Sequence, residues 1–131
     1  MSESSVTKVI FAPDLIGAAF VDSNARKIVE LWRDGALKIV TNRELIALHL
    51  RCLKNLGLSP ALLSRWALWL SDSSKAVFDS DLTFQTNSEI AICESLAELT
   101  GTERIIAWRF PVEAPPARWT TAGKFLKGLK L

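Results

Sequence analysis

Residues 11–20, FAPDLIGAAF, decide how the rest of the chain is read. The segment follows Val6–Phe11 (VTKVIF), a short run rich in β-branched residues, and such a run suits a buried strand. Ala12 and Pro13 then mark a corner, and Leu15–Ala19 continues as a small-residue helix. A strand that ends in a turn and a helix is the opening unit of a parallel sheet, and in open α/β sheets ligands gather outside the carboxyl ends of such strands. The corner holds a single carboxylate, Asp14, two residues past Ala12. Asp14 is therefore the first candidate site residue, with a role as helix cap as its alternative.

Outward from this corner the pattern repeats. In Asp22–Asp34, Ala25, Ile28, Val29 and Trp32 fall at helical spacing, and Gly35 is a natural stop. Leu37–Val40 is a second strand. Thr41-Asn42-Arg43-Glu44 fits a capping box and opens a helix with Leu45, Leu48, Cys52 and Leu56 on one face, ending at Gly57. Ser59-Pro60 starts the next helix, whose sequence ALLSRWALWL is apolar almost all round and carries Trp66 and Trp69. Such a helix is either deeply buried or covered by a partner, so a self-association face, and with it a homodimer, is expected.

Ala76–Phe78 reads as a third strand, followed by a polar loop with Asp79 and Asp81. Thr86-Asn87-Ser88-Glu89 is a second capping box that opens a helix through Leu99, stopped by Gly101. Arg104–Phe110 is a fourth strand, PVEAPPA a proline-rich connector, Arg118–Thr120 a possible fifth strand, and Thr121–Leu129 a closing helix. Strands alternating with helices predict an α/β fold: a three-layer α/β/α sandwich around a central, mainly parallel sheet of four to five strands. With 131 residues the chain is expected to form one domain, 1–131.

Composition narrows the class of function. Apolar residues make up 49% of the chain and charged residues 23%, a folded globular balance. No apolar run reaches the roughly 18 residues of a membrane helix, and MSESSVTK lacks the order of a secretory signal, so a cytoplasmic protein without membrane contact is expected. The two cysteines, Cys52 and Cys93, lie among apolar neighbours and read as buried thiols; with one histidine they make no zinc site. His49, also among apolar neighbours, has no catalytic partner placed by the sequence. A net charge of +2 does not by itself imply a nucleic-acid partner, but Arg118–Leu131 contains four basic residues and no acid.

With this order in view, VIFAPDLIGAAF, RKIVELWRDGALKIVTNRELIALHLRCL, AELTGTERIIAW and TTAGKFLKGL resemble the successive elements of a PIN domain, the small metal-dependent ribonuclease fold common among the toxins of bacterial toxin–antitoxin systems. The resemblance spans nearly the whole chain. It implies a cluster of three or four carboxylates from separate strand ends, holding magnesium or manganese ions that activate water against a phosphodiester. The chain departs from that pattern. The principal aspartate position is Ala12, with Asp14 where the family places asparagine. The second acid position falls on Leu48, with Glu44 offered by a one-turn shift, the third on Asn87, Ser88, Glu89 or an apolar residue, and the fourth within Ala107-Trp108-Arg109.

The resemblance therefore implies a degenerate, non-catalytic member that binds RNA or an antitoxin-like protein and uses no cofactor. Asp14 is its residual site residue. Arg109, Arg118 and, on the closing helix, Lys124 beside Phe125 are its candidate RNA contacts. The alternative is an active magnesium- or manganese-dependent ribonuclease with a rearranged acidic site, its metal held by Asp14, Asp81 and Glu89.

Overall fold

The computed structural model describes residues 7–72, 76–78, 89–108 and 118–129. Five strands, β1 (Thr7–Phe11), β2 (Leu37–Thr41), β3 (Ala76–Phe78), β4 (Ile105–Ala107) and β5 (Trp119–Thr121), form one sheet in the order β3-β2-β1-β4-β5. Every neighbouring pair is parallel, with Thr7 opposite Leu37, Ile39 opposite Ala76, Ile10 opposite Ile105 and Ile105 opposite Trp119. The described residues also form six helices, α1 (Pro13–Ala18), α2 (Ser23–Arg33), α3 (Arg43–Asn55), α4 (Pro60–Leu70) and α5 (Glu89–Thr100) between strands and α6 (Ala122–Leu129) after β5.

Side-chain alternation along the strands sorts the core into two layers. Val9, Phe11, Ile39 and Ile106 face the side covered by Leu15 and Ile16 of α1, Ile28 and Trp32 of α2, Trp66 and Leu70 of α4, and Phe125 of α6. Ile10, Val40, Ile105 and Ala107 face the opposite side, covered by Leu45 and Leu48 of α3 and by Ile92, Cys93 and Leu96 of α5. This is the three-layer α/β/α sandwich that the alternation of strands and helices predicts. Because successive strands step outward from β1 on both sides, the crevice between β1 and β4 is where the direction of winding reverses.

The helix ends follow local chemistry. Asp22 caps α2 by accepting from Ala25 N at 2.9 Å, and Ser59 caps α4 by accepting from Leu62 N at 3.3 Å. Gly35 ends α2 with φ at 89°, in the left-handed region that costs glycine nothing. At α3 the cap lies one residue later than the capping box predicts. Thr41 is the last residue of β2, and Asn42 caps instead, its Oδ1 accepting from Leu45 N at 2.9 Å. That places Leu45, not Glu44, at the third helical position, so the reciprocal half of the box is not formed.

The two tryptophans of α4 are used inside the molecule. Trp66 is buried and stacks on Trp32, with centroids 6.3 Å apart, and Trp69 meets Trp66 edge-on at 5.0 Å. The Arg33 guanidinium covers the Trp69 ring at 4.7 Å. The helix is nonetheless less buried than its composition suggests, because only Trp66 and Leu70 of its residues are fully enclosed and Leu62 and Leu68 are exposed. No helix among the described residues is long and apolar enough to cross a membrane.

Candidate binding site at the carboxyl edge of the sheet

The corner that opens the chain is tighter than a turn followed by a helix. Pro13 is already the first residue of α1, where its missing N–H costs nothing, and Ala12 is the helix N-cap with no side-chain bond. Asp14 does not cap the helix. Its Oδ1 accepts from Trp108 N at 3.2 Å, joining the first turn of α1 to the backbone just past β4. Ala12 N also donates to Ile106 O at 2.9 Å, so the β1 corner is laced to β4 by two backbone amides. The Asp14 carboxylate lies in the positive end of the α1 helix as well, a favourable place for a negative charge.

Two of the acid positions that the resemblance implies, Ala12 and Leu48, meet here as packing groups. Ala12, Leu48 and Ala107 are all buried and belong to one apolar cluster with Ile10, Val40, Leu45, Ile92 and Cys93. The corner at the carboxyl ends of β1 and β4 is thus backed by methyl and methylene groups. Among the described residues no three His, Cys, Asp or Glu side chains come together as a metal-binding group. Asp79 and Asp81 lie outside the described residues, as does the side chain of Glu89, the first residue of α5.

Two polar side chains on α3 are buried at the same edge. His49 Nε2 donates to Phe11 O across 2.8 Å, which fixes the helix against the end of β1 and leaves Nδ1 as the unprotonated nitrogen. Burial holds the imidazole well below its usual pKa, at about 4, although the carbonyls of Phe11 and Ala12 act in the other direction. His49 is therefore a neutral structural hydrogen-bond donor, consistent with its apolar neighbours and with the absence of a catalytic partner. Asn42 is fully buried at the end of β2. Its Oδ1 caps α3, while Nδ2 has no hydrogen-bond partner among the described residues.

Beside this corner lies a cleft of about 640 Å³. It is lined by Asp14, Gly17 and Ala18 of α1, by Phe20 and Val21 in the turn after it, by Cys52, Asn55, Leu56 and Leu58 at and beyond the end of α3, and by Trp108. A Cβ at Gly17 would stand 2.9 Å from Leu56 Cδ1, the far end of an exposed side chain that also lines the cleft. Phe20, Val21 and Leu56 are 51%, 75% and 58% exposed, half of the six large apolar side chains that are exposed among the described residues. Cys52 is accordingly not the buried thiol that its neighbours suggested, since it is half-buried in the cleft wall; Cys93 is fully enclosed. Sequence pattern placed Leu56 on the apolar face of α3, but Phe20 and Val21 lie in a turn, outside any periodic element. The available signal was two large apolar residues directly before the Asp22 cap.

Arg118 immediately precedes β5, at the amino end of the sheet, and its Nη1 lies 3.4 Å from Glu94 Oε1. The other Glu94 oxygen accepts from Trp119 Nε1, so the pair fastens β5 to α5. Lys124 is exposed on α6, next to the buried Phe125. Arg109 and Glu113 lie outside the described residues. No family model, no curated protein and no solved structure matches the chain.

Proposed function

We propose that the chain is a degenerate PIN-like domain that works by binding a protein partner, an antitoxin-like one under the resemblance, and does not cleave RNA. The observation that carries this reading is the shared burial of Ala12 and Leu48. These are two of the positions at which the resemblance calls for metal-binding acids, and here both belong to a single apolar cluster. A divalent cation needs several oxygen ligands at 2.0–2.6 Å, and an apolar corner offers none while penalising any charge brought into it. The remaining carboxylate, Asp14, accepts a backbone amide and faces an apolar cleft.

A protein partner is favoured over RNA by the same surroundings. RNA binding draws its affinity from cations facing phosphates. Among the described residues the cleft lining contains a carboxylate and no lysine or arginine, and Arg118 lies at the amino end of the sheet against Glu94. Self-association through α4 draws less support than its sequence suggests, because Trp66 and Trp69 are engaged by Trp32 and Arg33.

Incubation of the full chain with single-stranded RNA and magnesium or manganese tests the reading. The expected result is no cleavage beyond a chelated control. Divalent-dependent cleavage that Asp14→Asn abolishes would overturn it and favour a ribonuclease built on Asp14, Asp81 and Glu89.

A further inference from the structure

We infer that the cleft beside the β1–β4 crevice binds a small organic cation, an ammonium group carried on an apolar, ring-bearing body, with the Asp14 carboxylate as its counter-ion. The inference goes beyond the reading of the chain as a protein-binding module and does not depend on it.

Place and size suit a small ligand. In an open parallel sheet such a ligand binds outside the carboxyl ends of the strands, where the direction of winding reverses. Asp14, in the first turn of the helix after β1, and Trp108, just past β4, both line the cleft, so it opens at that crevice. Its volume of about 640 Å³ lies within the roughly 300–1,000 Å³ of small-molecule pockets.

The lining settles the chemistry. Phe20, Val21, Leu56 and Leu58 offer apolar surface, and the first three stay exposed to water in the fold. An apolar body laid against them takes that surface out of water. Among the described lining residues Asp14 carries the one charge, while Asn55 and Cys52 are the neutral polar side chains. The cleft therefore discriminates by sign. An anion would lie near a carboxylate with no lysine or arginine in the described lining to offset it, whereas a cation meets the opposite charge. A peptide would also bring backbone N–H and C=O groups along its whole length, and the lining has few polar groups to receive them. An amine carries its polar group at one end only.

Asp14 is held in place for such a contact. Its Oδ1 accepts from Trp108 N at 3.2 Å, which ties the carboxylate to the cleft instead of letting it rotate into solvent. A carboxylate has about four acceptor positions, so a hydrogen-bonded Asp14 is still able to accept from an ammonium group. Trp108 adds an indole to the same part of the lining, the aromatic ring that attracts cations most strongly.

Calorimetric titration of the full chain with diphenylpropylamine tests the inference, with diphenylpropanol and diphenylpropanoate as neutral and anionic ligands of the same body. The expected result is that the amine binds at least about tenfold more tightly than the alcohol, and that the carboxylate binds most weakly. Asp14→Asn, which keeps an acceptor for Trp108 N, lowers the affinity for the amine to that of the alcohol and leaves the alcohol unchanged. Leu56→Gln, at an exposed position of the cleft, weakens amine and alcohol alike, and Leu68→Gln on α4 changes neither. Equal affinity for amine and alcohol, tighter binding of the carboxylate, no binding of the amine up to about 5 mM, or amine binding unchanged in Asp14→Asn would overturn the inference. The comparison of the three ligands needs only the parent chain, so it decides the matter even if a variant fails to fold. A negative result leaves the protein-binding reading standing, because that reading is tested by RNA cleavage.

Discussion

The Asp14 carboxylate accepts the backbone amide of Trp108 at 3.2 Å, linking residues 94 positions apart in sequence. Through this bond the first helix is fixed to the end of β4, across the crevice at which the sheet reverses its direction of winding. A carboxylate that looks like the remnant of a catalytic site is thereby a fastener between two strand ends and one lining group of the adjacent cleft.

Asp14→Ala removes the acceptor and leaves the part-buried Trp108 amide without its partner, which is expected to cost about 1–3 kcal/mol. Asp14→Asn keeps an acceptor oxygen and is expected to cost less. Urea denaturation of the two variants measures the difference. Equal loss in both would assign the effect to charge at the α1 amino end instead of to the hydrogen bond.

His49 makes stability depend on pH in a defined window. The folded state holds the imidazole at about 4 and the unfolded chain at 6.5. Above 6.5 both states are neutral, and the His49–Phe11 bond contributes fully. Between 6.5 and 4 the unfolded chain takes up a proton that the folded chain refuses, so stability falls as pH falls, by about 3 kcal/mol across the window. Unfolding free energies between about pH 7.5 and about pH 5 measure the slope. His49→Gln, which keeps a side-chain donor but does not titrate, is expected to flatten it.

Asn42 separates the worth of a cap from the cost of an orphan donor. Asn42→Ala removes the acceptor for Leu45 N and is expected to destabilise by about 1 kcal/mol. Asn42→Ser retains a capping oxygen and removes Nδ2, which has no partner among the described residues. It is expected to be close to neutral or stabilising, and chemical denaturation of both variants reads this out.

Gly17→Ala tests the close approach of α1 to Leu56. Its Cβ would meet the Leu56 methyl at 2.9 Å, and Leu56 is an exposed, flexible side chain that is able to swing away. Alanine also favours α1 by up to about 1 kcal/mol. Unfolding free energy, measured by chemical denaturation, is therefore expected to stay within about 1 kcal/mol of the parent.

The sequence by itself determined the architecture. The β-branched runs at 6–11 and 37–40, the caps at Asp22 and Ser59 and the glycine stops at 35, 57 and 101 are local signals, and local steric and hydrogen-bonding preferences are enough to read them. The apolar character of Ala12, Leu48 and Ala107 was legible in the same way, residue by residue. Tertiary structure decided what that character amounts to. Only folding brings Ala12, Leu48 and Ala107 into one buried cluster, because they come from three elements whose meeting depends on strand order and helix layer. The roles of Asp14 and Arg118 were decided likewise by long-range partners, Trp108 N and Glu94, that no periodicity announces. The cleft is a further product of the tertiary structure, since Phe20, Val21 and Leu56 remain exposed around it after every buried apolar position has been used by the two cores.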